Sequence, residues 1–174
     1  MSMTLVWSTY ALVAIAIILV MVDIVAIWLL AKGAPYIPTK VEGVEKILSL
    51  IEKRPEMKAA DIGSGDGRIV IALAKAGIES HGYEINPILV RISRKRIKEA
   101  HLEHLATIHW GDFWKTSFAP FDVVTVFGVS YIMKRLEKKL RQELKPGTQV
   151  ISLGFQFPTW PLKEKRGGLY VYTK

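Results

Sequence analysis

The stretch DIGSGDGRIV, Asp61 to Val70, sets three glycines at alternate positions between an acid and an apolar run. Glycines in such a turn let a ligand come close to the backbone, because no Cβ intervenes. The run before it, Met57 to Ile62, reads as a strand, and the residues from Arg68 to about Ala76 follow the helical period. Strand, glycine turn and helix together predict the first unit of a doubly wound sheet, where ligands lie beyond the carboxyl ends of the strands.

Downstream the alternation continues. SHGYEI is the next strand, Pro87 to about Leu105 a long basic helix, and ATIHW a strand. FDVVTVFGV, a charged helix over Met133 to Leu144 and TQVISLGF follow, and LYVYT makes a further short strand at or near an edge. Strands alternating with helices predict an α/β fold with a doubly wound, mainly parallel sheet. Upstream, Thr39 reads as the N-cap of a helix whose apolar positions are Val41, Val44, Ile47, Leu48 and Ile51.

The ligand class follows from the turn and two later acids. Dinucleotide binding requires G-x-G-x-x-G, and starting from Gly63 the third glycine position holds Arg68. The pattern present is D-x-G-x-G-x-G: Asp61, Gly63, Gly65 and Gly67, with Ser64 between the first two glycines. Glu84, at the end of the next strand, can accept hydrogen bonds from both hydroxyls of a ribose. Asp112, after the third strand, can bond an adenine amino group while Phe113 covers the ring. Three acids ending three consecutive strands predict an adenosine ligand and resemble the class I methyltransferases that use S-adenosylmethionine.

The runs PYIPT, DIGSGDGRIV, GYEINPILVRISR, LKPGTQVIS and FPTWP sharpen the resemblance. They are similar to the small membrane-anchored protein-lysine methyltransferases whose mitochondrial members modify the adenine nucleotide translocase and the ATP synthase c-subunit. More distantly, they resemble archaeal lysine methyltransferases and the catalytic core of a histone methyltransferase. The resemblance implies S-adenosylmethionine as cofactor, held by Asp61, Gly63, Ser64, Gly65, Glu84, Asp112 and Phe113, with Tyr36 and Thr39 of PYIPT closing over its methionine end. After the fourth strand VFGVSY departs from the pattern, so Ser130 and Tyr131 carry no assignment.

Composition divides the chain. From Leu5 to Leu30 the only charge is Asp23, whereas all 24 Lys and Arg lie at or beyond Lys32. Those twenty-six residues as helix reach about 39 Å, enough to cross a hydrocarbon layer of about 30 Å. The expected organisation is a transmembrane anchor over 1–31, a linker over 32–41 carrying Gly33, Pro35 and Pro38, and a catalytic domain over 42–174. The positive charge after the span puts that domain on the cytoplasmic side or its organellar equivalent. Asp23, toward that end of the span, is expected at the interface or in a helix-to-helix hydrogen bond.

Absence of cysteine excludes disulfides, thiolate metal sites and a cysteine nucleophile. The histidines at 81, 101, 104 and 109 show no zinc spacing, and His101 and His104 read as a solvated helix end, so no metal is expected. The basic runs RISRKRIK and Lys134 to Arg141 read as solvated or lipid-facing helix surfaces rather than as a nucleic-acid interface.

Methyl transfer from a sulfonium to lysine requires a neutral amine. At pH 7 this costs about 4.6 kcal/mol for a lysine of ordinary pKa, about 10.4. An apolar channel supplies part of it by desolvation. Tyr36, Phe127, Phe155 and Trp160 are the expected channel walls; no residue stands out as a general base. The expected substrate is a lysine on a membrane or membrane-associated protein. The alternatives are methylation of a lipid or quinone, and a cofactor-binding scaffold without turnover.

Overall fold

The structure, a computed structural model, describes residues 3–32 and 38–174. The chain divides into two compact units, Met1–Pro35 and Tyr36–Lys174. The first contains α1, Met3–Lys32, with no charge but Asp23 before its last residue. Its segment Trp7–Val25 has a mean hydropathy of 2.4 and exposes every side chain. Tyr36 and the rest of 33–37 lie outside the described residues.

The second unit runs α2 (Val41–Leu50), β1 (Lys58–Ile62), α3 (Arg68–Lys75), β2 (Glu79–Glu84), α4 (Pro87–Glu99) and β3 (Ala106–Trp110). A short 3-10 turn, Phe113–Lys115, precedes β4 (Val123–Val126), α5 (Ser130–Glu143), β5 (Gln149–Leu153), β6 (Glu164–Arg166) and β7 (Leu169–Thr173). The strands form one sheet in the order β3-β2-β1-β4-β5-β7-β6. β3 to β5 are parallel, and β7 is antiparallel to both β5 and β6. The sheet is therefore mixed, and its order reverses between β1 and β4, which places the ligand crevice at their carboxyl ends.

Alternation along each strand divides the core between two faces. Ala59, Val123, Ile151 and Val171 meet Ile47 and Leu50 of α2 and Ile69 and Leu73 of α3. Val90 and Ile97 of α4 pack with Val70, Ala74, Ala106 and Ile108. The opposite face, with Ala60, Ile62, Val124, Val126 and Val150, is covered by Met133, Leu136 and Leu140 of α5 and by an aromatic layer that includes Phe118 and Phe121.

Several boundaries differ from the sequence expectation. α4 starts where expected, because Asn86 caps Ile88 N–H at 3.0 Å and Pro87 fills the first helical position. It ends at Glu99 rather than near Leu105, since His101 has a positive φ of 55°, and exposed His101 and His104 sit in the following turns. Thr39 does not cap α2: Lys40 occupies the N-cap without a side-chain bond. The strand β6 has the charged sequence EKR, which carries no alternation to detect. It is fixed instead as a hairpin partner of β7 by Gly167 and Gly168, both with positive φ, as a two-residue turn of this kind requires.

Candidate cofactor and active site

The turn after β1 is held from below by β2. Gly63 N–H and Ser64 N–H both donate to Tyr83 O, at 2.9 and 3.1 Å, and Gly67 N–H donates to Ser64 O at 2.9 Å. Gly63, Gly65 and Gly67 all have positive φ, between 55° and 79°, where side chains with a Cβ are disfavoured. A Cβ on Gly63 would meet nothing within 4 Å, so the backbone there faces open space. Ser64 instead packs beneath the turn: its Oγ lies 2.6 Å from where a Cβ on Gly82 would stand. That hydroxyl is buried without a hydrogen-bond partner among the described residues.

Glu84 ends β2 and is buried. Its Oε2 accepts from Gly65 N–H at 2.9 Å and its Oε1 from Asn86 N–H at 2.8 Å. Each carboxylate oxygen keeps a further lone pair for a ligand hydroxyl. Gly111 N–H donates to Glu84 O at 3.0 Å, which brings the end of β3 beside Glu84. Asp112 follows; its Oδ1 accepts from Trp114 N–H at 3.1 Å and caps the 3-10 turn. Phe113 turns into the core, its ring centroid 4.7 Å from that of Trp114.

Asp61 faces Thr125 across the β1–β4 pair, and Thr125 Oγ1 donates to its Oδ1 at 2.6 Å. Burial pushes the Asp61 carboxyl up to about 7; the Thr125 bond opposes the shift, and the charges of Glu84 and Asp66 add to it. Thr125 escaped the sequence reading, although a hydroxyl inside the apolar run VVTV is a signal for a buried polar partner. Asp66 escaped it too. It is buried, and burial alone would raise its pKa, but hydrogen bonds and charges from Arg68 and Arg96 hold it well below the usual carboxylate range. Arg68 also donates to Thr39 O, so this ion cluster joins the segment before α2 to α3 and α4.

The sheet thus brings Asp61, Glu84 and Asp112 to the carboxyl ends of three adjacent strands, around an open glycine backbone. These residues fit an adenosine-bearing cofactor: acceptors stand where ribose hydroxyls and an amino group need them, and the turn leaves room. Phe127 and Phe155 flank the same end of the sheet, beyond β4 and β5, with Phe127 Cε2 3.1 Å from where a Cβ on Gly154 would stand. Thr39 is buried next to Arg68.

Trp160 is not brought together with them. Its Nε1 donates to Thr173 O at 3.1 Å, and Thr173 pairs with Gln149, the first residue of β5. It packs against Phe157 and Tyr172 at the amino-terminal end of the parallel strands. The channel-wall expectation for Trp160 is replaced by packing: the chain after Phe155 folds back down the sheet, and Tyr172 Oη accepts from Phe157 N–H at 3.0 Å.

This geometry matches what similarity shows. An ATP synthase c-subunit lysine N-methyltransferase of Xenopus laevis is 44% identical over 126 residues, 72% of this chain and 55% of that protein. An adenine nucleotide translocase lysine N-methyltransferase of Mus musculus is 40% identical over 127 residues, again 72% of this chain and 55% of the other. The chain thus spans a little over half the length of these curated relatives. The crystal structure of an RNA methyltransferase from Salinibacter ruber in complex with S-adenosyl-L-homocysteine superposes with a TM-score of 0.74, at 33% identity, over 79% of this chain and 93% of that one. The family model for the ANTKMT methyltransferase domain matches residues 61–164, from the acid of the glycine turn through all the strand-end acids to β6. The chain belongs to this methyltransferase family.

Proposed function

We propose that the chain is an S-adenosylmethionine-dependent protein-lysine N-methyltransferase acting on a membrane protein. The observation that carries this reading is the convergence of Asp61, Glu84 and Asp112 on the open backbone at Gly63, in a chain 44% identical to an enzyme named for lysine methylation of the ATP synthase c-subunit. Glu84 serves the ribose hydroxyls, Asp112 the adenine edge, and Asp61 the cationic methionine end. When bound, S-adenosylmethionine supplies the methyl group on a sulfonium. Phe127 and Phe155 lower the dielectric where the amine arrives and disfavour its charged form, offsetting part of the roughly 4.6 kcal/mol of deprotonation.

The anchor belongs to the same reading. α1 is long and apolar enough to span a bilayer, and the concentration of Lys and Arg after it favours the cytoplasmic or equivalent organellar side for the catalytic unit. Its relatives are named for two membrane proteins as substrates. The second reading, an RNA substrate, is favoured by one observation, the name of the Salinibacter protein. Incubating the full chain with methyl-labelled cofactor and native membranes, then separating protein, lipid and RNA, distinguishes them. Label on lysine in the protein fraction supports the proposal; label confined to lipid or RNA overturns it.

A further inference from the structure

The first two turns of α4 expose apolar side chains that the core does not use. Ile88 is 68% exposed and Ile92, one turn later, 38%, whereas Val90, Ser93 and Ile97 form the buried face of the helix. Spacing by four puts the two isoleucines on one side. At the end of β3, Trp110 is 66% exposed, and its indole is tied to the β2–α4 loop, three residues before Ile88, by a 3.1 Å bond from Nε1 to Ile85 O. Arg91 and Lys95 are exposed at adjacent helical positions. A solvated helix face does not account for this distribution: Arg94, Arg96, Lys98 and Glu99 make the later exposed surface of α4 charged, and the apolar side chains gather in its first turns, at the carboxyl ends of the strands. An indole, two isoleucines and flanking cations on one surface are the side chains that settle at a bilayer interface.

Charge selects lipid as the occupant. From Lys32 onward the chain holds all 24 Lys and Arg but only 15 of the 16 acids, a formal charge of +9, which favours an anionic surface. Within the folded unit, Thr39 O, Arg68, Asp66 and Arg96 of α4 form a continuous chain of hydrogen bonds, which ties its first described residues to the helix that carries the two isoleucines.

We propose that Ile88, Ile92 and Trp110, flanked by Arg91 and Lys95, dock on an anionic lipid surface and bring the carboxyl ends of the strands to headgroup level. The proposal needs neither cofactor nor protein substrate, so it stands or falls separately from the lysine assignment. The chain has no cysteine, so Ile88→Cys, Ile92→Cys, Gln142→Cys on α5 and Ile15→Cys in α1 each give one labelling site in the full chain. Each variant carries an environment-sensitive fluorophore in vesicles of phosphatidylcholine and phosphatidylserine with nitroxide-bearing acyl chains. Quenching at 88 and 92 is expected to exceed that at 142 by about twofold or more, and to fall to the 142 level when Arg91→Glu and Lys95→Glu are added. The label at 15 reports insertion of α1 itself. Quenching at 88 and 92 equal to that at 142, whatever position 15 reads, overturns the docking surface. So does a response that arises only when a membrane protein is added, because protein is then the occupant.

Discussion

The backbone N–H of Gly65 donates to Glu84 Oε2 over 2.9 Å, across 19 residues of sequence. One carboxylate therefore shapes the glycine turn and ends the strand on which the ribose is expected. Glu84→Ala leaves the Gly65 and Asn86 N–H groups without their acceptor, at about 1–3 kcal/mol for each that stays buried. Glu84→Gln keeps an acceptor for one of them. The expected outcome is a lower melting temperature for Ala than for Gln, with cofactor affinity lost in both. Calorimetric titration with S-adenosylhomocysteine checks it; wild-type affinity in Glu84→Gln puts the ribose elsewhere.

Asp61 makes cofactor-free stability depend on pH. Its folded pKa of about 7 lies above its ordinary value of 3.8, so between these limits the folded state holds the proton and the unfolded state has lost it. Stability from this group is present at low pH and is lost as pH rises from about 4 to about 7. Asp66, Glu79 and Asp122 are shifted downward, in the opposite sense, by the cations and hydrogen-bond donors beside them. Asp61→Asn removes the penalty, so its advantage in melting temperature over wild type is expected to grow from pH 5 to 7.5. A constant difference over that range contradicts the buried, proton-bearing Asp61.

The glycines divide by what surrounds them. Gly63→Ala meets open space, so only the positive φ of 71° opposes it, at about 1–2 kcal/mol. Gly82→Ala sets a Cβ 2.6 Å from both Ser64 Oγ and Ile108 Cδ1, which displaces the turn itself. Gly82→Ala is therefore expected to cost more stability than Gly63→Ala in thermal unfolding, although Gly82 lies outside the glycine motif. Equal losses contradict the packing of Ser64 under the turn.

Much of this site is legible in the sequence, because the glycines and the strand-end acids are fixed by local pattern: turn chemistry, strand length and an acid at each terminus. Asp66 and Thr125 were not legible, since each acts through a partner distant in the chain, Arg96 and Asp61. Trp160 misled for a related reason. A tryptophan between prolines reads as a stiff loop, and only the antiparallel return of β7 shows that its indole reaches Thr173 at the far end of the sheet.

Trp160→Ala is accordingly expected to cost about 3–5 kcal/mol of stability, the usual range for a large buried side chain, with cofactor affinity unchanged below the melting transition. Residual activity is expected to follow the same pH profile as wild type. A selective recovery of turnover at high pH returns Trp160 to the lysine channel.

On the proposed function, the three strand-end acids hold the cofactor whose methyl group passes to a lysine of a membrane protein. The most direct measurement is tandem mass spectrometry of membrane proteins after incubation of native membranes with labelled cofactor and either the wild-type chain or Glu84→Gln. Labelled methyl-lysine in an integral membrane protein with wild type, and its loss with Glu84→Gln, is the predicted result. Label absent from lysine, or equal labelling by both chains, contradicts the account.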